Sequence, residues 1–103
     1  MRIVDKDEFL KTRHHKNGVY VFTMKGECGL CEMYIETLTK KGIAWNVVNF
    51  EKEDTETLAK EHLITAFPIT RVLFEGMTVF EKKGVLFDKQ IKEVQETEGK
   101  YLV

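Results

Sequence analysis

Apolar positions along the chain switch between two periods, and the switches mark the elements. Gly18 to Met24 contains Val19-Tyr20-Val21-Phe22-Thr23, a nearly continuous β-branched and aromatic run that predicts a central strand covered on both faces. Leu30, Tyr34 and Leu38 then recur four apart, with Cys31 and Ile35 beside them. That is the spacing of one apolar helix face, and Lys40-Lys41-Gly42 closes it. Trp45, Val47, Val48 and Phe50 predict a strand within 43–50, reached through a helical crossover and so parallel to the first. A short helix near 54–62 precedes Pro68. Beyond it, Ile69 to Phe74 and Met77 to Phe80 flank Glu75-Gly76, the signature of a tight hairpin between antiparallel strands.

The two ends are read from capping chemistry. Asp5-Lys6-Asp7-Glu8 has the form of a capping box, with Val4 and Phe9 at the staple positions. It predicts a first helix near 5–16 whose last turn collects Lys11, Arg13, His14, His15 and Lys16, with Asn17-Gly18 as the stop. Gly84 breaks the run after the hairpin. The last helix is expected to take Asp88 as its cap, Ile91 and Val94 as its core stripe and Gly99 as its end. The order αβαβαββα predicts an α/β fold, a central mixed four-stranded sheet flanked by helices, in one domain over residues 1–103.

Composition narrows the class of function. Apolar residues make up 43% and charged residues 32%, with a net charge of −1, so disorder and a strong field for nucleic acid are both disfavoured. No apolar run reaches the roughly 20 residues that span a bilayer, and the amino terminus turns charged at Arg2. A cytoplasmic monomer that binds neither membrane nor nucleic acid is expected. In a reducing compartment the two cysteines, Cys28 and Cys31, are seldom a structural staple.

Their spacing suits thiol–disulfide chemistry. A thiolate attacks a disulfide, and a free cysteine near pKa 8.5 is mostly protonated at neutral pH. With the helix starting between the cysteines, Cys28 sits at its amino end, where unpaired amide hydrogens and the helix dipole favour the thiolate. Cys31 lies one turn further in. Cys28 is therefore expected to attack and Cys31 to resolve the mixed disulfide. Lys25 adds a favourable cation, and Glu27 works against it.

These residues resemble the thioredoxin-like superfamily, and within it the glutaredoxins and the glutaredoxin-like electron donors of ribonucleotide reductase. Val21 to Cys31 looks like their strand, lysine and C-x-x-C run, and Ala66-Phe67-Pro68-Ile69 looks like their cis-proline loop. The strand pair Ile69 to Phe80, and Gly84 with the helix after it, complete the likeness over residues 18 to about 97. The resemblance implies a thioredoxin-like fold and a dithiol electron carrier that serves electron transport and cell redox homeostasis. It implies catalytic Cys28 and Cys31, and substrate or cofactor contacts at Lys25, Gly29, Leu30, Phe67, Pro68 and Gly84. A cis Pro68 would set the Phe67 backbone beside Cys28 for pairing with an extended substrate.

Departures from the pattern leave the electron donor open. Phe22 and Glu27 stand where thioredoxins carry an acid and a tryptophan, which argues for the glutaredoxin side. Gly29-Leu30 replaces a proline–aromatic pair, and the single Gly84 replaces a double glycine that helps hold glutathione. Lys25, with Asp88 near the start of the last helix, leaves a weakened glutathione site. The donor is then glutathione or a flavoprotein reductase, with no tightly bound cofactor, and the client is a protein disulfide such as that of ribonucleotide reductase.

Rival readings are a thioredoxin-fold docking module with idle cysteines, two inert core thiols, or an iron–sulfur cluster shared between two chains. A zinc site within one chain lacks ligands, because one C-x-x-C supplies two and a closed site wants four. No metal is assigned. Adjacent His14 and His15 are expected to point to different helix faces, and with His62 they complete the histidines.

Overall fold

In the computed structural model, which describes residues 1–26 and 28–102, the strand at Gly18–Met24 lies at the centre of a five-stranded sheet. The elements run β1 (Arg2–Val4), α1 (Lys6–Thr12), β2 (Gly18–Met24), α2 (Gly29–Lys40), β3 (Asn46–Phe50), α3 (Thr55–His62), β4 (Ile69–Phe74), β5 (Met77–Lys83) and α4 (Asp88–Tyr101). Spatial order is β1-β3-β2-β4-β5. β3 pairs in parallel with both β1 and β2, and β4 is antiparallel to β2 and to β5.

The continuous apolar run of β2 is explained by the two cores it separates. Tyr20 and Phe22 point to one face, where Phe9 of α1, Leu58 of α3 and Val48 and Phe50 of β3 pack with them. Val19 and Val21 point to the other, against Tyr34 and Leu38 of α2 and Ile91 and Val94 of α4. Alternate residues thus serve opposite layers, and each fully buried side chain of this size contributes about 1.5–3 kcal/mol. The first face is aromatic, with Phe9 ring centroids 5.2 Å from Tyr20 and 5.3 Å from Phe22.

Local expectations are corrected at the edges. The sheet has five strands instead of four, because Arg2–Val4 forms a parallel edge strand, with Ile3 opposite Val47 and the Arg2 amide donating to Trp45 O at 3.0 Å. Three mostly exposed residues carry no readable period. Asp5 caps α1 as expected, accepting from the Glu8 amide at 3.0 Å, but α1 ends at Thr12 and Arg13–His15 is a 3-10 turn. That turn sets the His14 and His15 rings side by side, centroids 4.0 Å apart, instead of on different faces. The strand expected within 43–50 begins only at Asn46; Ile43 instead donates its amide to Leu38 O at 3.1 Å to close α2.

At the other end, Asp88 lies within the first turn of α4 and Phe87 holds the cap position, its amide donating to Gln90 Oε1 at 3.0 Å. Gly99 does not end α4, which continues to Tyr101. Among the described residues, no helix is long and apolar enough to cross a membrane.

Candidate functional site

The carboxyl ends of β2 and β3, the start of α2 and the loop before β4 meet around the cysteines. Cys28 is the N-cap residue of α2, and its Sγ accepts from the Cys31 amide at 3.2 Å. Its carbonyl accepts from the amides of Cys31 at 3.1 Å and Glu32 at 3.3 Å. The two cysteines are joined by a disulfide with a Cα–Cα separation of 5.2 Å. Cys31 is buried at 3% exposure, whereas Cys28 is half-buried. The same helix start therefore places one sulfur where an incoming group can reach it and the other beneath it. Once reduced, Cys28 has the Cys31 amide and the positive end of α2 to stabilise its thiolate.

The peptide Phe67–Pro68 is cis, and the Phe67 carbonyl oxygen lies 3.8 Å from Cys28 Sγ. Pro68 is buried and Phe67 half-buried against the aromatic core. Gly84, with φ +84°, sends its amide to Pro68 O at 2.8 Å, and Lys83 beside it pairs with Ile69. Gly84 thus contacts the proline loop through its backbone. The cis-proline loop, the hairpin end and the disulfide are one assembly.

The remaining candidates surround it. Gly29 is the first residue of α2 and is exposed, and Leu30 is 57% exposed beside the disulfide, with Met33 also exposed one turn along. Lys25 is exposed; its amide donates to Phe50 O at 2.8 Å, and it borders a cleft of about 400 Å³ that reaches Cys31. Glu27 lies outside the described residues. Asp88 is not drawn toward this site: its carboxylate lies 2.5 Å from Lys41 Nζ, at the far end of the 12-residue α2. A helix of that length spans about 18 Å.

Strand parity corrects the comparison made by counting back from Cys28. Phe22 occupies the place of the thioredoxin acid by count, yet its ring points to the α1–α3 face with Phe9 and Phe50. The residues of β2 that border the cleft with Cys31 are Met24 and Thr23, and the Thr23 hydroxyl donates to Asn49 Oδ1 and lies 3.4 Å from Val48 O. Thr23, Asn49 and Glu32, which also borders the cleft, were not singled out from the sequence. The period-two alternation of β2 was the available signal for Thr23. Among the described residues, no three His, Cys, Asp or Glu side chains cluster to hold a metal ion.

This arrangement, a C-x-x-C disulfide at a helix start opposite a cis-proline loop on a mixed five-stranded sheet, defines a thioredoxin fold. Thioredoxin f2 of Chlamydomonas reinhardtii is similar to it with a TM-score of 0.71 and 21% identity, over 94% of this chain and 95% of that one. Spinach chloroplast thioredoxin f, in its short form, gives 0.65 and 25% identity over 92% and 90% of the two chains. A reduced Schistosoma mansoni thioredoxin gives 0.64 and 19% identity over 99% of this chain and all of its own. That last match is long enough to include β1 and α1. No protein-family model matches the sequence, and no curated protein sequence matches it.

Proposed function

We propose that this chain is a thioredoxin-type dithiol oxidoreductase that reduces protein disulfides through Cys28 and Cys31. The Cys28 thiolate attacks one sulfur of the substrate disulfide, forming a mixed disulfide and releasing the other substrate sulfur as a thiolate. Cys31, deprotonated, then attacks Cys28 Sγ; the Cys28–substrate bond breaks, the second substrate thiolate leaves, and the Cys28–Cys31 disulfide remains. Two electrons pass to the substrate. The observation that carries this reading is the N-cap Cys28 lying 3.8 Å from the Phe67 carbonyl of a cis-proline loop while disulfide-linked to buried Cys31. That carbonyl and the neighbouring Leu30 supply an edge and an apolar surface for an extended substrate segment.

For the electron source, a flavoprotein reductase is the donor we favour over glutathione. The likeness to thioredoxins over nearly the whole chain supports this, as does the engagement of Asp88 by Lys41 far from Cys28. Ribonucleotide reductase is one client that a carrier of this type would serve. Insulin reduction tests the central claim: wild type should precipitate insulin with dithiothreitol as donor, and Cys28→Ser should abolish the acceleration. Activity unchanged in Cys28→Ser would sink the reading. Supplying thioredoxin reductase with NADPH, or glutathione with its reductase, then shows which system restores the oxidised protein.

A further inference from the structure

Resolution of the mixed disulfide requires Cys31 to lose a proton, and the buried sulfur has no acid beneath it on β2. Phe22 faces the opposite core, and Thr23, which borders the cleft with Cys31, is a neutral hydroxyl already donating to Asn49. Neither can hold a net proton taken from a thiol. A cleft of about 400 Å³, many times the volume one water molecule needs, reaches Cys31, which is itself 3% exposed. Its titratable or charged borders among the described residues are Lys25 after β2 and Glu32 and Glu36 on α2; β1 and β3 contribute Ile3, Val47 and Asn49. Lys25, an ammonium, has no room for another proton. Glu36 is one turn further along α2 and holds Lys40 at 3.0 Å. Glu32 follows Cys31 directly and makes no ion pair among the described residues.

We propose that Glu32 accepts, through water in this cleft, the proton that Cys31 loses as it attacks the mixed disulfide at Cys28. The S–H bond of Cys31 breaks and its electron pair forms the bond to Cys28 Sγ. The Cys28–substrate bond breaks with its pair leaving on the substrate sulfur, and the proton rests on the Glu32 carboxylate until solvent removes it. The role rests on the dithiol reading above. A carboxylate placed here also disfavours a thiolate at Cys31 by like charge. A purely electrostatic Glu32 would therefore slow resolution, and its removal would speed it; a proton acceptor predicts the reverse.

The test uses reduced protein and 5,5′-dithiobis(2-nitrobenzoate), which releases one thionitrobenzoate when Cys28 attacks and a second when Cys31 resolves. Glu32→Gln should leave the first release unchanged and slow the second about a hundredfold near pH 6.5, the low end of what a general base contributes. The deficit should shrink as the pH rises and Cys31 ionises unaided. Glu32→Asp should recover part of the rate, and Glu36→Gln should behave as wild type. In a Cys31→Ser background, Glu32→Gln should leave the single release unaltered. A second release in Glu32→Gln that is as fast as wild type or faster, or an equal deficit in Glu36→Gln, overturns the role of Glu32 alone. Wild-type protein that releases no second equivalent overturns the dithiol reading and this role together.

Discussion

Arg71 shows how one charged residue is made to fit a β-strand interior. It is 9% exposed, and each nitrogen of its guanidinium makes a hydrogen bond. Nε donates to Glu81 Oε1 at 2.7 Å, Nη1 to His62 O at 2.9 Å and Nη2 to Leu63 O at 3.2 Å, and the group lies 5.9 Å from the Phe22 ring centroid. The carbonyls it meets belong to the end of α3, where Leu63 takes the left-handed conformation at φ +55°. The arginine therefore caps a helix packed on its own face of the sheet. Burial holds His62 below its ordinary pKa, helped by the charges of Arg13 and, less, of Arg71. Arg71→Met keeps the apolar stem of the side chain and removes the guanidinium, leaving Glu81 and two carbonyls without that partner. Urea denaturation should show a loss of about 3 kcal/mol, the cost of breaking a largely buried pair; a loss below about 1 kcal/mol would contradict the capping role.

At the scale of elements, the β4–β5 hairpin is the clearest case of turn chemistry meeting tertiary contact. Phe74 and Met77 pair across the two-residue loop, and both Glu75 and Gly76 have positive φ, +51° and +79°. This is the type of turn that follows the sheet's own twist. Gly76 is needed for a second reason: a Cβ there would overlap the backbone of His14, and its amide donates to Lys16 O at 3.0 Å. Glu75 is fastened by its amide to Asn17 Oδ1 at 2.8 Å. Gly76→Ala should therefore cost about 3 kcal/mol in thermal or urea unfolding, more than the roughly 1–2 kcal/mol of left-handed backbone strain alone. Glu75→Gly, which relieves strain without adding atoms, should leave stability within about 1 kcal/mol of wild type. Equal effects of the two substitutions would remove the argument from the His14 contact.

For the whole molecule, the site depends on holding α2 and β4 in one relation, because α2 carries the cysteines and β4 begins one residue after Pro68. A buried hydrogen bond does this: Tyr34 OH and Thr70 Oγ1 are 2.8 Å apart, with both residues fully buried. Burial pushes the Tyr34 phenol up to about 12, while the bond to Thr70 pulls it down. A group whose folded pKa lies above its unfolded value of 10 contributes stability that is complete below pH 10 and is lost as the pH rises toward 12. Tyr34→Phe should cost about 1–2 kcal/mol at neutral pH, since it strands the Thr70 hydroxyl. It should also flatten part of the alkaline loss; burial raises Tyr20 as well, so the rest of the slope should persist. An unchanged alkaline slope in Tyr34→Phe would refute the assignment.

Features that depend on neighbours along the chain could be read from the residues alone. The run Val19 to Thr23, the four-residue repeat of Leu30, Tyr34 and Leu38, and the Glu75-Gly76 turn each specify a local period or conformation, and β2, α2 and the hairpin lie where those signals put them. The unequal burial of Cys28 and Cys31 was legible for the same reason, since one stands at a helix start and the other a turn further in. Tertiary structure decided the rest. β1 exists because β3 offers it a free edge, Phe22 faces away from Cys31 because Phe9 and Phe50 complete an aromatic core there, and Asp88 turns to Lys41. Thr23 and Asn49 border the cleft at Cys31 only once α2 lies across the sheet. Packing between distant segments sets which face of an element is used, and no periodicity within one segment encodes that choice.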